Sequence, residues 1–187
     1  FRQILPADPA LRDITAILTL RSGRILLGTE RRGVMVFDGS RLTPFHPKLA
    51  SSYITALAGV EGDLWIGTLA NGVFHYRGGE LDDLAGSLPD PQAVCLLANG
   101  PTGYVGAPLG VVEFRDGQRV RGLADGYFAR ALASAGGSLQ VGAEDEGIVD
   151  ISLASRPGRR AFSAAQDVPG PILRLAELAG ERYALTG

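Results

Sequence analysis

One pattern constrains this chain more than any other: a unit of about 39 residues recurs along nearly all of it. The first copy carries Ile14-Thr15-Ala16-Ile17, then Ile25-Leu26-Leu27-Gly28-Thr29, then Gly33-Val34-Met35-Val36-Phe37-Asp38-Gly39. The second carries Ile54-Thr55-Ala56-Leu57, then Leu64-Trp65-Ile66-Gly67-Thr68, then Gly72-Val73-Phe74-His75-Tyr76-Arg77-Gly78. A third (Ala93 to Leu96, Gly103 to Gly106, Gly110 to Gly117) and a weaker fourth (Ala129 to Leu132, Leu139 to Gly142, Gly147 to Ile151) follow. The landmark glycines Gly28, Gly67, Gly106 and Gly142 are 39, 39 and 36 residues apart. A fifth copy begins at Ile172-Leu173-Arg174-Leu175, with two registers open: Gly187 matches Gly67, or Leu185 replaces that glycine and Thr186 matches Thr68.

Each copy contains three short apolar runs bounded by Gly, Asp or Asn, and no 3.6-residue period survives across the turns. Such runs are strands. A fourth, less regular run closes each unit, as at Leu42-Thr43-Pro44-Phe45, Glu80 to Leu84 and Arg119 to Leu123. Its proline and charges suit an outer edge strand, where an unpaired N–H is not missed. Four antiparallel strands in a repeat of about 40 residues is the pattern of a propeller blade. The expected fold is all-β, a β-propeller segment of about four to five blades. The repeats run over 14–52, 53–91, 92–127 and 128–170, with an incomplete one over 171–187. Residues 1–13 are expected to supply the closing strand of a preceding or last blade. The sequence is expected to begin inside one blade and end inside another, so a segment of a larger propeller of about six to eight blades is favoured over five blades with a gap. Open blade faces would then invite self-association.

The stretch from Ile54 to Gly78 resembles the two-component regulator propeller repeat, whose core reads roughly I-T-x-I, G-x-L-W-I-G-T and G-G-L-x-x-Y. The stretch from Ile14 to Gly39 is similar without the Trp, and the later copies keep the glycines but lose Trp and Thr. The resemblance implies a non-catalytic sensor or ligand-binding propeller. In that family such propellers lie outside the cell, ahead of a membrane helix and a histidine kinase. It thus implies a periplasmic or extracellular location and a membrane-anchored parent. A stand-alone scaffold for protein–protein interaction is the alternative. The streptogramin lyases share the Gly-x-Leu-Trp core, but their blades tend to read Leu-Trp-Phe-Thr-Glu where this chain has Leu-Trp-Ile-Gly-Thr, so a lyase ranks third.

Composition narrows the partners. A net charge of −2 offers no surplus of basic residues to neutralise a phosphate backbone, so nucleic acid is not an expected ligand. No apolar run is long enough to span a bilayer as a helix. The single Cys95 cannot form an internal disulfide; it aligns with Ala16, Ala56 and Ala131 and reads as a small buried residue. His46 lies between Pro44 and Pro47 and reads as a loop residue. His75 aligns with Val36, Glu113 and Asp150, which reads as a solvated strand face. Trp65 aligns with Leu26 and Tyr104 and is expected to pack between blades. With no His/Cys/Asp cluster at ligand spacing, neither metal nor cofactor is expected, and no catalytic residue is assigned.

The links before each first strand and the turns between strands two and three should share one face. These turns differ in charge: Glu30-Arg31-Arg32, Leu69-Ala70-Asn71, Ala107-Pro108-Leu109 and Glu144-Asp145-Glu146. Arg130 replaces Thr15 and Thr55 on the innermost strand and, as a lone cation, needs a partner or water. The candidate ligand-binding residues are therefore Arg31, Arg32, Tyr53, Asn71, Tyr127, Arg130, Glu144 and Asp145, expected to meet a small polar ligand or a protein partner.

Overall fold

A computed structural model describes residues 12–153, 159–161, 170–178 and 181–187. The expected closing strand within 1–13 falls outside these, apart from residues 12 and 13. Among the described residues the elements are strands, with two single-turn 3-10 segments at Pro47–Leu49 and Ala85–Ser87. The strands are β1 (Ile14–Thr19), β2 (Ile25–Thr29), β3 (Val34–Phe37), β4 (Leu42–Pro44), β5 (Ile54–Val60), β6 (Asp63–Thr68), β7 (Val73–Arg77) and β8 (Glu80–Asp83). They continue as β9 (Cys95–Asn99), β10 (Thr102–Ala107), β11 (Gly110–Arg115), β12 (Gln118–Leu123), β13 (Ala129–Ala135), β14 (Ser138–Ala143), β15 (Ile148–Ser152), β16 (Arg159–Ala161), β17 (Ile172–Leu178) and β18 (Glu181–Thr186).

They form four four-stranded antiparallel sheets, each in simple sequential order, and a two-stranded sheet of β17 and β18. Each sheet is a propeller-type blade, and the fold is the all-β blade architecture that the repeat predicts. Pro44 lies on the outermost strand of the first blade, where its missing N–H costs no ladder bond. The chain divides into two compact units, residues 1–93 and 94–187.

The first unit is built on the seam between its two blades. Leu18, Leu20, Leu26, Val34 and Val36 of the first blade meet Leu57, Leu64, Ile66, Phe74, Tyr76 and Leu81 of the second. The period-two alternation of strands assigns these residues to facing sides. The second unit repeats the scheme: Tyr104 and Val111 of the third blade pack with Leu132, Leu139, Val141, Val149 and Ile151 of the fourth.

The landmark glycines are explained by these seams. Gly28 pairs across β1–β2 with Ala16, Gly106 with Cys95, and Gly142 with Ala131. Each also lies beneath the first residue of the next blade's innermost strand. A Cβ at Gly28 would stand 2.7 Å from Ile54 Cγ2, one at Gly106 would stand 3.1 Å from Ala129 Cβ, and one at Gly142 would stand 2.7 Å from Ile172 Cβ. These are backbone-to-blade approaches that leave no room for a side chain. The pairing Ile172↔Thr186 repeats Ile14↔Thr29 and Ile54↔Thr68, so Thr186 matches Thr68 and Leu185 occupies the glycine position. This resolves the two registers left open for the fifth copy.

Candidate functional site

The end of each blade where β2-type strands run into β3-type strands carries the polar turns. In the first two blades the turn is held by threonine. Thr29 Oγ1 donates to the Gly33 carbonyl at 2.8 Å and accepts from Arg32 N at 2.9 Å; Thr68 does the same with Gly72 and Asn71. Gly33 takes φ +63°, and a Cβ there would run into the Leu49 carbonyl, so only glycine closes this turn.

The link before each innermost strand docks on these turns. Glu30 N donates to the Asp13 carbonyl at 3.2 Å, Leu69 N to the Tyr53 carbonyl at 3.0 Å and Glu144 N to the Phe128 carbonyl at 3.1 Å. Links also reach the turn of the preceding blade: Gly72 N donates to the Pro91 carbonyl at 2.6 Å, and Gly126 N to the Leu109 carbonyl at 3.2 Å. Turn and link thus share one end of the sheet in both units, because backbone groups there have no ladder partner and find each other.

In the first unit, Tyr53 bridges the blades by donating its hydroxyl to Glu30 Oε1 at 3.3 Å. Partial burial first, then the Glu30 carboxylate and Asp13, push the Tyr53 phenol above its ordinary range. Arg31, Arg32 and Asn71 are exposed on the adjoining turns. This end therefore presents guanidinium groups beside a phenol and a carboxylate, a set that fits a small polar group carrying an acid or several hydroxyls.

In the second unit, Arg130 is not a lone cation. Its Nε donates to Glu144 Oε2, and its guanidinium lies 5.1 Å from the Phe128 ring centroid. Arg130 is the extra residue of a β-bulge: the pairing of β13 with β14 skips from Ala129 to Ala131. The bulge re-aims the side chain at this end of the blade instead of across the seam. Tyr127 is half-buried, and Asp145 is exposed beside Glu144. The cationic turn (Arg31, Arg32) belongs to one unit and the acidic turn (Glu144, Asp145) to the other, and each stands within its own local set.

Two polar groups missed in the sequence are buried in the blades. His75 is 2% exposed, not solvated as its alignment with Val36, Glu113 and Asp150 had implied. Its Nε2 lies 2.7 Å from Asp63 Oδ1, and its ring stacks on Trp65 at 4.1 Å between centroids. The reason is geometric: His75 pairs directly across from Trp65, so both side chains share one sheet face. Glu113, the equivalent residue opposite Tyr104, is likewise 2% exposed. Arg121 Nε donates to Glu113 Oε2 at 2.6 Å, and an Arg115 terminal nitrogen lies 3.5 Å from Oε1. Reading this column together with the Leu26, Trp65, Tyr104 column directly opposite it would have revealed the burial.

The remaining sequence candidates for chemistry are structural. His46 Nδ1 accepts from Lys48 N at 3.2 Å and caps the single turn at Pro47–Leu49. The Cys95 thiol lies 3.5 Å from the Ala129 carbonyl, and burial pushes it up to about 12. No group of three metal-ligating side chains occurs among the described residues, and none of their helices is long and apolar enough to cross a membrane.

No protein-family model and no curated protein matches this sequence. Solved structures do match its backbone. The extracellular domain of a putative one-component system from B. thetaiotaomicron superposes with a TM-score of 0.77 at 16% identity, over 98% of this chain and 26% of that one. The extracellular domain of a putative hybrid two-component system from B. thetaiotaomicron gives 0.73 at 16% identity, over 100% of this chain and 27% of that one. A catalytically inactive virginiamycin B lyase from Staphylococcus aureus, solved with quinupristin, gives 0.74 at 14% identity, over 96% and 65%. The chain thus spans about a quarter of the length of the two sensor-system domains. At these identities the likeness establishes the propeller fold that the repeat resemblance implied.

Proposed function

We propose that this chain is part of an extracytoplasmic sensor propeller that binds a small polar ligand or a partner protein without catalysing a reaction. The observation that carries the reading is the match over nearly the whole chain to extracellular domains of one- and two-component systems. The turn-and-link end of the blades supports it. Arg31, Arg32, Tyr53 and Asn71 in one unit and Tyr127, Arg130, Glu144 and Asp145 in the other supply donors and acceptors on a backbone held by its own hydrogen bonds. Preformed polar loops on a rigid β scaffold suit recognition.

The test is a thermal-shift screen of small carboxylates, amino acids and sugars. A ligand at about 100 times its Kd should stabilise the protein by about 2.7 kcal/mol. That gain should vanish on Arg31→Glu with Arg32→Glu, or on Arg130→Ala. Immunoblots of membrane and soluble fractions from the source should place the natural protein with the membrane. A small soluble protein with no stabilising ligand would overturn the sensor reading and favour the scaffold.

The lyase match supports a second reading, which incubation with quinupristin and mass analysis of the product tests directly. We expect intact quinupristin. His46 is engaged in a turn cap and His75 is buried against Trp65 and Asp63, so neither histidine is offered as a base at the turn-and-link end.

A further inference from the structure

We infer that Asn99 is a site of spontaneous deamidation in the folded protein, and that the fold withholds the same chemistry from Asn71. These are the only two asparagines of the chain, and glycine follows each: Asn71-Gly72 and Asn99-Gly100. The reaction needs the main-chain nitrogen of the second residue to reach the side-chain carbonyl carbon of the first. Glycine, with no Cβ, leaves that approach open and lets the backbone turn toward it. In an unfolded chain the two dipeptides react alike, so a difference between them is set by the structure.

Asn99 ends β9, and the chain enters β10 at Thr102 through the two-residue turn of Gly100 and Pro101. Proline has no N–H, so the one amide of this turn belongs to Gly100. No hydrogen bond among the described residues engages it. Asn99 and Gly100 are both exposed, and a Cβ added at Gly100 would meet nothing within 4 Å. Bringing the Gly100 nitrogen onto Asn99 Cγ needs only the Asn99↔Thr102 end of the hairpin to fray, a local opening that leaves the rest of the blade intact.

Asn71 is exposed as well, but Gly72 is buried. Gly72 N donates to the Pro91 carbonyl at 2.6 Å, and the Gly72 carbonyl accepts from Thr68 N at 2.9 Å and from Thr68 Oγ1 at 2.8 Å. Asn71 N donates to Thr68 Oγ1 at 2.9 Å. A Cβ at Gly72 would stand 2.6 Å from Ala85 Cα, so this backbone has no room to swing. The Gly72 proton is held by a carbonyl, and its nitrogen cannot turn back onto Asn71.

The reaction at Asn99 needs water and no other reagent. The Gly100 nitrogen gives up its proton to hydroxide and bonds to Asn99 Cγ. The Cγ–Nδ2 bond breaks, and Nδ2 takes a proton from water and leaves as ammonia. The five-membered imide then takes up one water at either carbonyl and opens to aspartate or to isoaspartate, whose main chain runs through Cγ. A new negative charge thus arises at the β9–β10 turn, at the other end of its sheet from the β10–β11 turn. The neutral amide of Asn71 stays at the turn-and-link end.

The experiment is incubation of the 187-residue protein at mildly alkaline pH, folded in buffer and unfolded in urea, followed by peptide mapping and mass spectrometry. In the folded protein Asn99 should convert at least about tenfold faster than Asn71, the factor that about 1.4 kcal/mol of retained hydrogen bonding sets on a rate. In urea the two rates should converge. A folded protein in which Asn71 converts as fast as Asn99 overturns the inference. So does one in which Asn99 stays intact while both sites convert in urea. A difference that survives unfolding also overturns it, because local sequence and not the fold would then be its cause.

Discussion

Replacing Arg121 with Ala tests how the third blade tolerates a carboxylate in its seam. Glu113 has a side chain only 3% exposed, and the neighbouring residues Tyr104 and Val111 belong to an apolar cluster with Leu139, Val141, Val149 and Ile151. The carboxylate is held by Arg121 Nε at 2.6 Å and by the more distant Arg115 at 3.5 Å. Breaking a buried pair by removing one partner typically costs about 3–5 kcal/mol, because the surviving charge is left uncompensated. Arg121 is 29% exposed and Arg115 remains, so the expected loss is smaller, about 2–3 kcal/mol. Glu113→Leu combined with Arg121→Leu removes both charges and should cost less than Arg121→Ala alone. Urea denaturation followed by far-ultraviolet circular dichroism measures both, since an unchanged slope with a shifted midpoint isolates stability. A loss below about 0.5 kcal/mol for Arg121→Ala would refute the idea that this pair neutralises a desolvated carboxylate. So would a double variant that is worse than the single.

Two further predictions concern the buried column. Trp65→Ala should destabilise the protein by about 3–5 kcal/mol in the same assay, and a loss under about 1 kcal/mol would contradict its burial on His75. The half-buried Cys95 thiol, directed at the Ala129 carbonyl, should be alkylated more slowly at pH 8 in the native protein than after unfolding, as followed by mass spectrometry; equal rates would refute its partial enclosure. The sign of its pH effect follows: with the folded value raised from 9.0 to about 12, the contribution to stability is complete below pH 9.0 and is lost as pH rises toward 12. Cys95→Ala should remove that alkaline dependence.

Much of the architecture was legible in the chain itself. A strand is announced by a short apolar run between turn residues, and a blade by four such runs at a fixed period, so the spacing of Gly28, Gly67, Gly106 and Gly142 was enough to identify the fold. The shared end of turns and links was also legible, because antiparallel strands return successive connections to alternate ends. The partner of Arg130 was not. Its pairing with Glu144 forms at a bulge between Ala129 and Ala131 that recurs between Ile14 and Ala16 and between Ile54 and Ala56 with a threonine in place of the arginine, so the other copies carry no sign of the ion pair. The burial of His75 and Glu113 is hidden for a related reason: variation from Val36 to Asp150 has the look of a solvent-facing column, although His75 and Glu113 each share a face with a large residue directly opposite.

What the sequence alone determined is the repeated local pattern: strands, turns, the all-β class and the glycines on which blades rest. Those follow from backbone geometry and period-two burial, which act within a few residues. Tertiary structure decided which polar side chains are enclosed and with whom they pair, and that Leu185 stands where a glycine stands in the described blade seams. These depend on register between strands and on what lies against each sheet face. Repeats of one architecture can therefore hold an aliphatic contact at Leu26, a stacked histidine at Trp65 and an ion pair beside Tyr104 without changing the fold.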